Sequence, residues 1–178
     1  MNLKVKIHFD GGFLAPLKTQ DVHEKYISGL NDPLVNRYLE VRHEEQSEQS
    51  TLKFIQKNIM ASDSVLFGIW LDGQKNHCGT IRIHEIDFNK KLAHIGICIF
   101  DKKSWGKQLG TKAIMTVTKW AFEDLGLNSV EAGAYQENVA SQRAFLKAGY
   151  QWTKDIEDKF KLHGKITTVK IYIAKKFE

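Results

Sequence analysis

The stretch Ala93-His94-Ile95-Gly96-Ile97-Cys98-Ile99-Phe100, followed at once by Trp105-Gly106-Lys107-Gln108-Leu109-Gly110-Thr111, decides the reading of this chain. An apolar strand runs almost directly into a glycine-bearing turn, and a helix begins there. The first residues of a helix carry backbone N–H groups without intrahelical partners and a partial positive charge, a natural seat for phosphate. A second helix start follows at Gln136-Glu137-Asn138-Val139-Ala140-Ser141-Gln142-Arg143. Strand, turn, helix and second helix start together suggest a site for a pyrophosphate-bearing cofactor, and hence an enzyme.

Outward from this centre, Leu109, Ala113, Val117 and Ala121 recur every fourth residue, the period of an amphipathic helix, and Gly126 is its stop. Val130–Tyr135 alternates as a strand, and Asn138–Ala148 reads as a helix with an asparagine N-cap and Gly149 beyond its end. Two strands joined at His163-Gly164 complete the chain. Upstream, Val65–Leu71 is a continuous apolar strand, Asp72-Gly73 a turn, and Gly79–Ile86 a strand alternating Ile81 and Ile83 with Arg82 and His84. Asn89-Lys90 forms the next turn. The first sixty residues read as mostly helical after a strand Val5–Phe9 and the turn Asp10-Gly11-Gly12. Helices are expected over Thr19–Leu30, over Leu34–Leu39 after the Asp32-Pro33 start signal, and over Ser47–Met60. The order implies an α/β (α+β) fold: a mixed, mostly antiparallel central sheet with helices on both faces, in a single domain over residues 1–178.

Composition agrees with a globular enzyme. The chain has 178 residues, 42% of them apolar and 11% aromatic, enough for one sizeable core. No apolar run approaches the roughly 20 residues that span a bilayer, and Met1–Lys6 lacks the apolar core of a signal peptide. Cys78 and Cys98 are the only cysteines and form no CxxC pair. They read as buried free thiols, which makes a reducing cytoplasm the default compartment. A net charge of +5 and a pI near 9.1 favour anionic partners. The basic residues are dispersed, however, so nucleic acid is not expected, and neither a membrane nor a metal is.

Residues 93–150 resemble the acetyl-CoA core of the GNAT N-acetyltransferases. "AHIGICIFDKKSWGKQLGTKAI" is similar to that family's cofactor strand, phosphate loop and following helix. "YQENVASQRAFLKAGY" is similar to the segment opening its last core helix. Upstream, "LNDPLVNRYLE" resembles the N-terminal helices of the branch that acetylates ribosomal-protein N-termini. The resemblance implies acetyl-CoA as cofactor, held by Trp105, Gly106, Lys107, Gln108, Leu109, Gly110 and Thr111 at the phosphates. Ile97, Cys98 and Ile99 would lie along the pantetheine arm and thioester, and Asn138 and Ser141 beside the thiol. Arg143, with Lys147, would meet the 3′-phosphate. Solvated helix faces explain the last two residues equally well, core strand residues explain Ile97–Ile99, and helix capping explains Asn138.

Gln108 departs from the family, which has glycine there. It is expected to keep helical backbone angles, point its side chain away and still offer its N–H. Were a glycine-only conformation required, cofactor affinity would suffer. His94 stands where this branch often carries a glutamate general base, and an imidazole near neutral pH can accept the amine proton directly or through water; a structural histidine is the alternative. Many members carry a tyrosine that protonates the departing thiolate, but Phe145 replaces it here, which leaves Ser141 as the nearest hydroxyl. Neither cysteine is needed as a nucleophile, so the amine attacks directly in a ternary complex. Tyr38, Glu40, Arg42 and Phe67 are the acceptor-binding candidates, against helix packing and surface charge. The acceptor would be a small amine such as an amino sugar, or a protein N-terminus, and a homodimer is compatible with the sequence. A non-catalytic acyl-CoA-binding or interaction module is the remaining alternative.

Overall fold

The computed structural model describes residues 5–162 and 164–176, with the side chains at positions 158 and 159 outside that set. Its centre is an eight-stranded sheet in the order β1-β2-β3-β4-β5-β6-β8-β7. The strands are β1 Ile7–Phe9, β2 Gly12–Pro16, β3 Val65–Leu71, β4 Gly79–Asp87, β5 Leu92–Ile99, β6 Ser129–Tyr135, β7 Gln151–Leu162 and β8 Lys165–Lys175. The helices are α1 Glu24–Asn31, α2 Pro33–Asn36, α3 Glu48–Met60, α4 Leu109–Glu123 and α5 Val139–Lys147. Every neighbouring pair is antiparallel except β5 and β6. That parallel pair holds from Leu92↔Ser129 only as far as Ile95↔Ala132. Past it the strands part, and the sheet opens in the middle.

The alternation of β4 decides which side of the sheet is which. Ile81 and Ile83 turn inward with Phe67 and Ile69 of β3, against Ala113, Ile114, Val117 and Trp120 of α4 and Phe145 of α5. The opposite face carries a second cluster, in which Leu66 and Trp70 of β3 meet Tyr26 and Leu30 of α1, Ile55 of α3 and Phe100. Strand β3 is apolar throughout because both its faces are covered.

The N-terminal third differs from expectation. Residues 12–16 form a strand, with Pro16 at the end where its missing N–H costs little. The helix expected over Thr19–Leu30 is broken: Thr19–Asp21 is a single 3₁₀ turn, and α1 begins only after His23, whose imidazole Nδ1 caps the Tyr26 N–H at 3.2 Å. The Leu34–Leu39 helix is a single turn, Pro33–Asn36, followed by a 3₁₀ turn at Glu40–His43. Of the expected C-terminal turn, Gly164 is found with φ +78°, while His163 lies outside the described residues.

Candidate active site

The phosphate loop is built from three local decisions. Asp101 accepts the Lys103 N–H at 3.1 Å and starts a 3₁₀ turn. Trp105 then donates its indole N–H to the Ile99 carbonyl at 2.8 Å, pinning the loop to the end of β5. Gly106 follows with φ +75°, and Gln108 with φ +58° and ψ +13°. Gln108 is therefore left-handed, not helical as expected. The chain must reverse between Trp105 and α4, and the glutamine accepts the glycine conformation at a cost of roughly 1 kcal/mol.

The N–H groups of Leu109, Gly110 and Thr111 open α4, whose first intrahelical bond runs from Lys112 N to Gln108 O at 3.0 Å. No side chain caps them. All three residues line a cleft of about 530 Å³, between the end of β5, the start of α5 and the α2 turn. Ile97, Cys98, Ile99, Trp105, Gly106, Gln108, Asn138, Ser141, Arg143 and Lys147 line it too. The titratable side chains among the lining residues include Arg37, Arg143 and Lys147 and no carboxylate. Orphaned N–H donors facing a cationic, carboxylate-free cleft fit a polyphosphate. Lys107 lies instead on a smaller neighbouring hollow of about 180 Å³ with Asp10 and Lys112, which form an ion pair at 2.8 Å.

At the start of α5, the Asn138 side-chain Oδ1 accepts the Ser141 N–H at 3.2 Å. The Ser141 hydroxyl makes no hydrogen bond with any described residue. Phe145, one turn on, is buried against Tyr150 and Tyr172. The Tyr150 hydroxyl is itself buried and bonded to Thr118 at 2.7 Å. Burial pushes the Cys98 thiol up to about 12 and the Cys78 thiol up to about 11, so both stay protonated near neutral pH.

The acceptor candidates separate. Tyr38 lines the cleft and donates its hydroxyl to the Glu137 carbonyl at 3.0 Å, closing the α2 turn onto the start of α5. Glu40 and Arg42 do not line it. They clasp the 3₁₀ turn to the sheet: Arg42, with only 7% of its side chain exposed, donates to the carbonyls of Leu39 (2.7 Å) and Lys161 (3.0 Å) and to Glu40 (3.2 Å). Burial opposes the Glu40 carboxylate, but hydrogen bonds from Tyr135 and Arg42 outweigh it and hold its pKa below the usual range. Phe67 is not an acceptor residue. It is fully buried, edge-on to Trp120 at 5.3 Å, because its place in β3 turns it toward α4. His94 lies outside the cleft, on the sheet face opposite α4, with Glu85 at 3.8 Å and Glu131 at 4.0 Å. Leu34, Val35, Arg37 and Leu39 also line the cleft without having been expected. The only signal for Arg37 was its place beside Tyr38, over whose ring it stacks at 4.7 Å.

The sequence pattern of the Acetyltransferase (GNAT) domain family matches residues 13–151. The chain belongs to the GNAT acetyltransferase family. It is similar to the protein named probable N-acetyltransferase YjcK of Bacillus subtilis, at 24% identity over 85% of this chain and 87% of that one. Spermidine N-acetyltransferase from Vibrio cholerae, solved with CoA and spermine, superposes with a TM-score of 0.82 at 20% identity over 94% of this chain and 96% of that one. The ribosomal-protein α-N-acetyltransferase RimL, solved with coenzyme A, superposes at 0.81 and 16% identity over 96% and 98%. The protein is an acetyl-CoA-dependent acyltransferase of the GNAT fold. Among the described residues no cluster of His, Cys, Asp or Glu is arranged to hold a metal ion, and no helix is long and apolar enough to cross a membrane.

Proposed function

We propose that the protein acetylates the primary amine of a small molecule by direct attack, with donor and acceptor bound together. Acetyl-CoA supplies the activated acetyl group as a thioester. The N–H groups of Leu109, Gly110 and Thr111 receive its pyrophosphate, and Arg143 and Lys147 its outer phosphate. Beyond Ile95 the edge of β5 that faces β6 has no ladder partner, so backbone N–H groups there are available to polarise the thioester carbonyl. Ser141, whose hydroxyl makes no hydrogen bond with any described residue, relays a proton from water to the departing thiolate. His94, held between two glutamates on the acceptor side, takes the amine proton through water. The protonated state of both cysteines supports direct attack over an acyl-cysteine route.

The observation that carries the choice of a small acceptor is the clasp. A peptide needs an open groove between the N-terminal helices and the last hairpin, and Arg42 spans that interval by donating to the Lys161 carbonyl of β7 at 3.0 Å. A protein N-terminus is the second reading, favoured by the likeness to RimL. The test is coenzyme A release from acetyl-CoA against matched sets of small amines and short N-terminal peptides. Release with small amines, reduced about 10- to 100-fold in Ser141→Ala, supports the proposal; release with peptides alone contradicts it.

A further inference from the structure

We propose that Arg82 selects the acceptor, and that the acceptor is a small primary amine carrying an acidic group, a carboxylate or a phosphate, which the guanidinium binds. The inference rests on the acetyltransferase reading above and names its substrate class.

The neighbours of Arg82 on β4, Ile81 and Ile83, are fully buried on the α4 side, so Arg82 projects from the opposite face. Its guanidinium lies over the ring of Phe54 from α3, 5.8 Å from the centroid. Nε is buried and has no hydrogen-bond partner. The rest of the group makes no hydrogen bond or ion pair with any described residue. The nearby carboxylates are engaged elsewhere: Glu85 faces His84 at 3.3 Å and His94 at 3.8 Å, and Glu131 faces His94 at 4.0 Å. A partly desolvated cation without a counter-charge is costly, and a bound anion removes that cost.

The place of this arginine gives it a role. Arg82 pairs with Gly96 of β5. Gly96 is exposed in the middle of the sheet, and a Cβ there would meet nothing within 4 Å. Gly133, the residue after the last β5–β6 pair, is exposed beside it. Gly96 leaves a bare floor at the parting of the strands, walled on the Gly133 side by Val169, whose Cγ1 a Cβ at Gly133 would meet at 3.2 Å. Cys98, which lines the cofactor cleft, stands two residues further along the same face of β5, and His94 two residues back. With about 3.3 Å per residue and 4.8 Å between strands, the Arg82 backbone lies roughly 8 Å from each. An amine at the parting, between Cys98 and His94, can thus extend an acidic group to Arg82. Guanidinium binds carboxylate and phosphate through paired N–H donors. A polyamine would instead bring positive charge against it.

The test measures coenzyme A release with paired acceptors, β-alanine against β-alaninamide and glucosamine 6-phosphate against glucosamine, alongside calorimetric titration of each amine into the coenzyme A-loaded protein. The result expected is a preference for an acidic member. Arg82→Gln then raises its KM by about tenfold or more with kcat unchanged, and leaves the neutral member as it was. The acid preferred shows whether carboxylate or phosphate is the group. Gly96→Val, whose Cβ enters open space, should raise KM for both members without lowering Tm. Equal use of both members, an Arg82→Gln loss shared by both, an unaltered KM in Gly96→Val, or no turnover and no binding of any acidic amine overturns the inference. Titration of acetyl-CoA alone separates the two levels, because failure of that binding removes the acetyltransferase reading itself.

Discussion

The Tyr135 hydroxyl donates to Glu40 Oε1 at 2.9 Å, joining residues 95 positions apart in the chain. Arg42 completes the joint, reaching the Tyr135 hydroxyl at 3.3 Å and the Lys161 carbonyl at 3.0 Å. One buried guanidinium thus ties the turn after α2 to both β6 and β7, and sets how far the acceptor side opens.

Arg42→Ala removes these bonds and leaves the part-buried Leu39 carbonyl without its side-chain donor, while the exposed Lys161 carbonyl turns to water. The expected loss is about 2 kcal/mol, read as a shift in the denaturant midpoint at constant m-value. If the clasp also limits the size of the acceptor, the variant accepts short peptides better than the parent does, which an amine panel measures.

Gln108→Gly relieves a left-handed residue. The variant should be more stable by roughly 1 kcal/mol, with coenzyme A affinity changed less than twofold, because the free N–H groups of α4 already point into the cleft. A drop in stability would mean that the Gln108 side chain contributes more than its backbone costs.

Phe67→Ala tests the correction made by the fold. A fully buried phenylalanine against Trp120 should cost about 3–5 kcal/mol on truncation. KM values for both substrates should stay at the parent level in whatever fraction remains folded. A selective rise in acceptor KM at full stability would return Phe67 to the site.

His77 gives the pH dependence. It is buried within an aromatic surround of Tyr26, Trp70 and Phe100, and its Nδ1 lies 3.2 Å from Nε2 of His23. Burial, and then the neighbouring His23, push its pKa from 6.5 down to about 3. The unfolded chain therefore takes up a proton between these values and the folded chain does not. Stability should be full above about pH 6.5 and fall progressively as the pH drops toward 3. His77→Phe should flatten that slope in thermal denaturation across the range.

The phosphate loop and both core helices were legible because their signals are local. Leu109 to Ala121 keep one face, Asn138 caps α5, and Gly106 turns the chain with the positive φ that glycine tolerates. What stayed hidden depends on partners distant in sequence. The apolar run Val65–Leu71 announces a strand but not which side chains meet α4, so Phe67 could be taken for a pocket residue. Arg42 reads as an acceptor-binding candidate or a surface charge until Tyr135 and Lys161 are seen to receive it. Strand β2 exists because Gly12–Pro16 pairs with Phe67–Leu71, and its own composition of glycine and proline argues against a strand. The left-handed Gln108 is signalled by nothing in its own residue type, only by the glycine that the resembling family carries at that position. Arg82 looked like the polar half of an alternating strand, and only the fold shows its guanidinium over Phe54 with a buried Nε that has no hydrogen-bond partner.

The most direct measurement is calorimetric titration of coenzyme A into the parent protein and into Gly110→Glu. Gly110 sits in the first turn of α4, and a Cβ there meets only Ile97 Cδ1 at 3.8 Å, so the variant can fold with a carboxylate at the phosphate seat. One coenzyme A per chain for the parent, with affinity reduced by about a hundredfold in the variant at equal Tm, is the result predicted. Undiminished binding in the variant would contradict the account, since the cofactor would then lie somewhere other than the start of α4.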